Sequence, residues 1–394
     1  MIVVGAGPAG VICAYRLALA GVDVLVLEAE AQCPEDMRAS TFHPPTLDMM
    51  AELGLIDTLE AQGLRAPEYH YRNRATGEVL AFDFGELAGE SAHPYRLQCE
   101  QFKLTRLVAG LLAGHPHADL RFSRRAVAHE DTGDGVLVRA QAPHGLETYR
   151  ADFLIGADGA SSTIRKGMEI GFDGFTYPEK FLTLSTAYPV ERAFDRLAQV
   201  NYMTDSKEWC VLLRVPQFWR VLVPASVTES DEALTSDAKK IQVFDGLTGN
   251  GADIVTHHRT IYRVHQRVAE TFRRGRAILV GDAAHLNNPL GGLGMNSGIH
   301  DAWNLTEKLV EILQHRGDAE ALLDRYDRQR RTVMHEFVQA QTIRNKQMLE
   351  SSVAEDQKRF QQELAAIQAD PVRRREYLLR QSMYLSRERE AAIL

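Results

Sequence analysis

Apolar residues recur along this chain in two rhythms, and the switches between them mark out its architecture. Met1–Val4 is a short apolar run, broken at once by Gly-Ala-Gly-Pro-Ala-Gly over 5–10. Within Val11–Ala20, Ile12, Tyr15, Leu17 and Leu19 keep near one helical stripe, and Gly21 stands where a helix stop favours glycine. Val22–Leu27 reads as a β-branched strand ending at Glu28. Strand, helix and strand in that order predict a βαβ unit with parallel strands and a right-handed crossover. Residues 37–65 return to helical spacing through Leu47, Met50 and Leu53, with Gly54 as a stop. The period becomes two over 67–95, where Tyr69, Tyr71, Val79, Phe82 and Phe84 alternate with polar residues about Ala75-Thr76-Gly77, the pattern of a β-hairpin.

Gln101–Ala113 is helical again, and 120–155 alternates as strands up to Phe153-Leu154-Ile155. From about 172 to 270 strands dominate, clearest at Phe181–Ala187, Trp209–Val215 and Arg220–Pro224, with one helix between Ser230 and Leu247. Ala277–Val280 is a short buried strand, and a helical tail follows over 297–394, interrupted near Gly317 and at Asp370-Pro371. The fold class is therefore α/β. A Rossmann-like nucleotide-binding domain is expected from 1–66, 96–171 and 271–320. A strand-rich α+β substrate domain interleaves from 67–95 and 172–270, and a C-terminal helical region spans 321–394.

Composition narrows the function classes. The chain has 394 residues, 45% hydrophobic and 25% charged, which is ordinary for a globular protein. A net charge of −8 argues against a nucleic-acid partner. Cys13, Cys33, Cys99 and Cys210 are widely spaced with no CxxC pair, which points to reduced thiols in the cytoplasm. The apolar N-terminus is broken by Gly5, Gly7, Pro8 and Gly10 and charged at Arg16 and Asp23, so it reads as neither a signal peptide nor a membrane span. No later stretch reaches the roughly 18 uncharged apolar residues of a transmembrane helix. Histidines are scattered without HxxxH or carboxylate pairing, so no metal is expected.

Three motifs carry chemistry. Gly5-x-Gly7-x-x-Gly10 lies between a strand and a helix. There glycine permits a tight turn, close backbone approach to a pyrophosphate and close helix packing, while the helix N-terminus offers N–H groups to the phosphates. Glu28, at the end of the second strand, suits both ribose hydroxyls; this favours a free 2′-OH, so FAD or NAD. The second motif is Gly156-Ala157-Asp158-Gly159-Ala160-Ser161-Ser162-Thr163-Ile164-Arg165. Its plainer reading is a turn with a serine capping a helix. The third is Gly281-Asp282-Ala283-Ala284-His285, running on to Pro289-Leu290-Gly291-Gly292-Leu293-Gly294-Met295-Asn296-Ser297-Gly298. An acid at a strand end can hold a polyol, and a helix N-terminus near Met295 and Asn296 favours negative charge.

On these three motifs, in this order, the chain resembles the FAD-dependent aromatic hydroxylases of the para-hydroxybenzoate hydroxylase type, the class A flavoprotein monooxygenases. The resemblance runs from residue 1 to about 335. It implies an FAD-binding domain in which Gly5, Gly7, Ala9 and Gly10 face the pyrophosphate and Glu28 the adenosine ribose. It further implies FAD contacts from Arg38, Gln101, Asp158 and Arg165, with Asp282 on the ribityl chain. Pro289 would sit beside the flavin, and Gly292, Leu293, Gly294, Met295 and Asn296 on its pyrimidine edge. Relatives have two prolines where this chain has Asn288-Pro289, which suggests a more polar wall beside the flavin.

The resemblance also implies the reaction. NADH or NADPH reduces the flavin, O2 adds at its C4a, and the hydroperoxide hydroxylates a small phenolic or heteroaromatic substrate. Substrate contacts are expected from His43, Tyr202, Arg214 and Arg220, with His43, Pro289 and Arg220 as candidates at the reacting centre; His285 reads as structural. Flavin halogenases carry Trp-x-Trp-x-Ile-Pro, which Phe218-Trp219-Arg220-Val221-Leu222-Val223-Pro224 does not match. The alternatives are an oxygenase for a larger polyketide-like molecule and a non-catalytic FAD-binding redox sensor. A homodimer is a possible assembly, built through Leu378, Leu379, Met383 and Leu385 if these do not pack on the chain's own body.

Overall fold

Ile2–Val4 is wholly apolar and buried, and it lies inside a six-stranded sheet. It pairs in parallel with Val24–Leu27 on one side and Leu154–Gly156 on the other. Ala118–Arg121 and Ala277–Leu279 extend the two sides, again in parallel, and Arg273–Arg274 adds an antiparallel edge. Strands covered on both faces lose the alternating pattern and become solid apolar runs, as IVV and AIL are here. Helix Pro8–Leu19 packs between Gln101–Ala113 and Leu293–His315. This is the α/β architecture expected, observed in a computed structural model that describes residues 1–35, 37, 39–205, 208–350 and 354–394. Among the described residues no helix is long and apolar enough to cross a membrane.

A second sheet has eight strands, built mainly from Phe172–Thr186, Val200–Thr204, Cys210–Arg214, Trp219–Ser226 and His258–Ala269. The hairpin Glu68–Asn73 and Val79–Asp83 joins it through a parallel pairing of Glu68–Asn73 with Val200–Thr204. Its turn is closed by Asn73 Oδ1, which accepts from the N–H groups of Ala75 (2.9 Å) and Thr76 (3.2 Å), while Gly77 takes φ +76°. One face of this sheet packs Leu184, Leu212 and Val221 against Val243 and Phe244 of helix Asp237–Thr248. Side-chain alternation turns Tyr202, Val211, Leu213, Arg220 and Leu222 to the other face, where they line a cavity.

Three segments depart from the sequence reading. Residues 37–65 hold helices Pro44–Glu52 and Ile56–Gln62, parted by Gly54 at φ +69°. Short strands Thr41–Phe42 and Leu64–Ala66 flank these helices and pair with Arg96–Gln98, a partner too distant in sequence for periodicity to reveal. The helix expected over 230–247 is two, Asp231–Leu234 and Asp237–Thr248, because Ser230 and Ser236 each cap a separate start. The tail breaks at Gly317 and Asp370 as read, and again at Met383, which adopts φ +73°.

The tail folds back on its own chain. Leu378 and Leu379 share a core with Tyr69, Phe82 and Phe84, and Met383 joins the main core. Its arginines are not simply solvated. Arg374 donates to Glu86 at 2.6 Å, and Arg375 pairs with Glu90.

Candidate active site

A cavity of about 430 Å³ lies between the two sheets and takes walls from both. At its α/β end the backbone does the shaping. Gly5 sits at φ +102°, and a Cβ there would stand 2.4 Å from the Ala157 carbonyl oxygen, so only glycine lets the first strand exit against its neighbour. A Cβ on Gly10 would fall 2.0 Å from the Gly5 carbonyl oxygen. A Cβ on Gly7 would meet nothing within 4 Å. Two of the three glycines therefore allow close packing, and the middle one keeps space open on the cavity side.

Gly7 is the N-cap of Pro8–Leu19 and supplies no side-chain cap. The first-turn N–H groups have no intrahelical partner and carry the positive end of the helix dipole toward the cavity. Helix Leu293–His315 repeats the arrangement, with Gly292 at φ +69° as an N-cap that supplies no side-chain bond. Glu28 lines the cavity at 9% exposure, and its carboxylate accepts from the N–H groups of Ala6 (2.7 Å) and Glu30 (2.9 Å), tying the glycine loop to the second strand. Asp282 lines the same cavity from the third motif. Two uncapped helix N-termini opening on one cavity, with a carboxylate on the wall near each, form a donor set that fits FAD: a diphosphate at one helix, an electron-rich ring edge at the other and a polyol between.

Of the residues singled out from sequence, Gly7, Ala9, Glu28, Gln101, Asp282, Pro289 and Gly292 through Met295 line the cavity, as do Tyr202 and Arg220. Gly5 and Gly10 stand one layer behind, and Arg38 lies outside the described residues. Several others are placed differently. The Asn296 side chain faces away from the cavity: its oxygen accepts the His43 backbone N–H at 2.9 Å, and its nitrogen donates to the carbonyls of Thr41 (2.8 Å) and Gly292 (2.7 Å). Asp158 caps helix Thr163–Gly167, accepting from Ser162 Oγ at 2.5 Å and Thr163 N–H at 2.7 Å. Arg165 donates to the carbonyls of Ala160 (2.9 Å) and Ala283 (2.8 Å) and lies 3.8 Å over Phe172, so it joins the second motif to the third. Both belong to the frame behind the wall rather than to the wall.

His43 is also behind the wall. It is fully buried, and burial together with the charge of Arg96 drives its pKa well below the usual histidine range. The neutral ring donates from Nε2 to the Gly291 carbonyl at 2.8 Å, which holds the glycine loop where it enters the long helix. Arg214 is on the far face of the eight-stranded sheet, its guanidinium 5.5 Å over Trp219; alternation separates it from Arg220 on the neighbouring strand. Asn288 does not make the flavin-side wall polar. Its amide donates to the Thr342 carbonyl at 2.9 Å and its oxygen accepts from Leu290 N–H at 3.1 Å, so Asn288 points away from the cavity and the wall there is Asn287, Pro289 and Leu290.

The most connected buried acid was not singled out. Asp301 accepts from Gly281 N–H at 2.9 Å, His285 Nε2 at 2.6 Å and Arg330 Nε at 2.6 Å. Burial pushes its carboxyl up, but His285 and Arg330 outweigh burial and hold it below the ordinary carboxylate range. Arg330 also bonds Glu390, so Asp301 links the third motif to the end of the tail. His285 thus has the structural role expected of it. Asp301 stands just beyond the third motif, and its partners lie too far along the chain for spacing to reveal. Arg96 was missed as well: it is buried and lines the cavity, and nothing in its sequence surroundings marks it.

Residues 1–341 match the family model described as FAD binding domain. The chain is 32% identical over 342 residues to para-nitrophenol 4-monooxygenase of Pseudomonas sp. (strain WBC-3), covering 86% of this chain and 84% of that protein. It is 34% identical over 345 residues to 6-hydroxy-3-succinoylpyridine 3-monooxygenase of Pseudomonas putida (strain DSM 28022 / S16), covering 86% of each. The crystal structure of p-nitrophenol 4-monooxygenase from Pseudomonas putida DLL-E4 superposes with a TM-score of 0.91 at 29% identity, over 99% of this chain and 97% of that one.

Proposed function

Because the chain belongs to the FAD-binding family of class A flavoprotein aromatic hydroxylases, it is an FAD-dependent monooxygenase, and we propose that it hydroxylates a small single-ring aromatic with NADH or NADPH as reductant. Two relatives are named for nitrophenol and hydroxypyridine monooxygenation, which supports the single ring. The observation that carries the reading is the shared cavity. It joins glycine turns, helix N-termini and the carboxylates of Glu28 and Asp282 on one wall to the apolar side chains of Val211, Leu213 and Leu222 on the other, so a small aromatic can sit beside the cofactor in one cavity.

FAD, when bound, supplies the redox chemistry with O2 that side chains lack. The chain's own contributions are positional. The backbone at Gly7 and Ala9, which lines the cavity, would hold the diphosphate, Glu28 the adenosine ribose, Asp282 the polyol, and the backbone from Leu293 to Met295 the ring edge. Val211, Leu213 and Leu222, with Pro289 and Leu290 opposite, form an apolar enclosure that excludes water from the reacting ring. Tyr202 and Arg220 give that enclosure its polar contacts. We divide the chain functionally into a cofactor part (1–66, 96–171, 271–320), a substrate part (67–95, 172–270) and a tail that braces both. The apolar tail positions pack on their own chain, so a homodimer would use other surfaces. Four free, buried thiols suit the cytoplasm.

Consumption of NADH and NADPH by the purified, FAD-loaded protein tests this, measured with and without a panel of phenolic and heteroaromatic acids. The expected result is faster oxidation with one ring class and a hydroxylated product by mass spectrometry. Retained FAD with no compound stimulating oxidation would remove the small-aromatic reading and leave the larger-substrate or sensor readings.

A further inference from the structure

Arg96 is 1% exposed, lines the cavity, and has no hydrogen-bond partner at Nε or Nη2. Its guanidinium rests on the faces of Tyr69, at 4.6 Å, and Phe84, at 5.0 Å. The other deeply buried arginines are answered: Arg330 by Asp301 and Glu390, Arg165 by two carbonyls, and Arg220 by Ser40 Oγ at 3.3 Å. No ion pair answers Arg96 among the described residues. A guanidinium does not shed its proton, so this charge persists. Burying it unpaired costs more than the aromatic faces beneath it return. The missing anion therefore comes from a ligand.

The free atoms say which kind. Nε–H and the adjacent Nη2–H form one edge of the guanidinium, two parallel donors that match the two oxygens of a carboxylate. Their place says which ligand. Tyr69, beneath the guanidinium, packs edge-on against Tyr202 at 6.1 Å, and Tyr202 stands on the substrate-side wall. Thr183 Oγ1, also without a hydrogen-bond partner, lines the cavity from the same sheet. The diphosphate-binding features, Gly7 and Glu28, belong to the other sheet.

We propose that the Nε–Nη2 edge of Arg96 binds the carboxylate of the substrate, so that the enzyme acts on an aromatic acid. This rests on the aromatic hydroxylase reading but is tested by binding rather than turnover. Benzoate, 4-hydroxybenzoate and nicotinate are titrated against the FAD-loaded protein, each beside its neutral primary amide, following the flavin absorption band and tryptophan fluorescence. Wild type should bind at least one acid roughly 100-fold more tightly than its amide, the difference expected of a charge-assisted bidentate pair. In Arg96→Gln that preference should vanish, with amide binding and FAD affinity unchanged within about threefold. Arg96→Lys should restore only part, since a point charge lacks the fork.

Equal affinity of wild type for acids and amides overturns the proposal even if the variants fail to fold. So does an Arg96→Gln protein that keeps the preference, or one that loses FAD instead, which would make Arg96 a cofactor anchor. If acids bind through Arg96 but never stimulate NAD(P)H oxidation, the carboxylate site stands and the hydroxylase reading fails. If neutral phenols are hydroxylated and Arg96→Gln changes nothing, the reverse holds.

Discussion

The two ends of the cavity are built from different material. At the six-stranded sheet the wall is largely backbone, glycine turns and helix N-termini with uncapped N–H groups, beside the carboxylates of Glu28 and Asp282. At the eight-stranded sheet it is side chains, projected at alternate positions from strands far apart in sequence. Backbone chemistry constrains residue type, because a Cβ at Gly5 or Gly10 would collide with a carbonyl. Side-chain chemistry on a sheet face leaves most positions free to be any apolar residue. A cofactor shared by a family is thus held by motif, while a substrate peculiar to one member is held by residues that form no motif.

Asp301 joins the two systems through the third motif and the tail, and breaking it should have the largest effect. Asp301→Asn leaves the buried Arg330 charge short of a partner, so a stability loss of about 3–5 kcal/mol is expected in urea unfolding. A loss under about 1 kcal/mol would mean that Glu390 alone satisfies Arg330. Gly10→Ala and Gly7→Ala sharpen the contrast within the glycine loop. The first forces helix and loop apart, costing about 1–3 kcal/mol of stability as well as FAD. The second places its methyl in open space and loses only the N-cap preference for glycine over alanine, so apoprotein stability should fall by under about 1 kcal/mol while FAD affinity falls about tenfold. Equal effects of the two in both assays would refute the division between packing and space.

The frame behind the cofactor end should also make stability depend on pH. His43 and His300 are fully buried, and desolvation holds both well below the ordinary histidine pKa. Above about pH 6.5 each is neutral folded and unfolded. As pH falls below that value the unfolded chain takes up protons that the folded chain refuses, so stability drops by about 1 kcal/mol per histidine between pH 6.5 and 5.5. Melting at a series of pH values, with and without His300→Asn, reads the slope; an unchanged slope in the variant would count against this assignment. The smallest effect belongs to Arg214→Ala. On the face away from the cavity it should leave aromatic binding unaltered, and a several-fold loss would put Arg214 back at the site.

How much of this was legible in the sequence follows the same line. Gly5, Gly7, Gly10, Glu28, Asp282 and Gly292 sit where a strand ends or a helix begins, and such junctions show as breaks in the apolar rhythm. The motifs did not distinguish contact from support. His43, Asp158 and Arg165 were read at the cofactor or the substrate, whereas their side chains fix the loops that form the wall. Arg214 and Arg220 looked alike because the strand Trp219–Ser226 is apolar on both faces, which hides the alternation that separates them. Arg96, Asp301 and Arg330 have partners, or a conspicuous lack of one, that only tertiary structure brings into view.

The most direct test of the divided cavity is a crystal structure of the enzyme with FAD and a bound aromatic acid. The account predicts the diphosphate at the N-terminus of Pro8–Leu19, the flavin edge at Leu293–Met295, and the acid beneath Tyr202 and Leu222 with its carboxylate on Arg96. An acid bound outside this cavity, or FAD occupying the Arg96 edge, would contradict it.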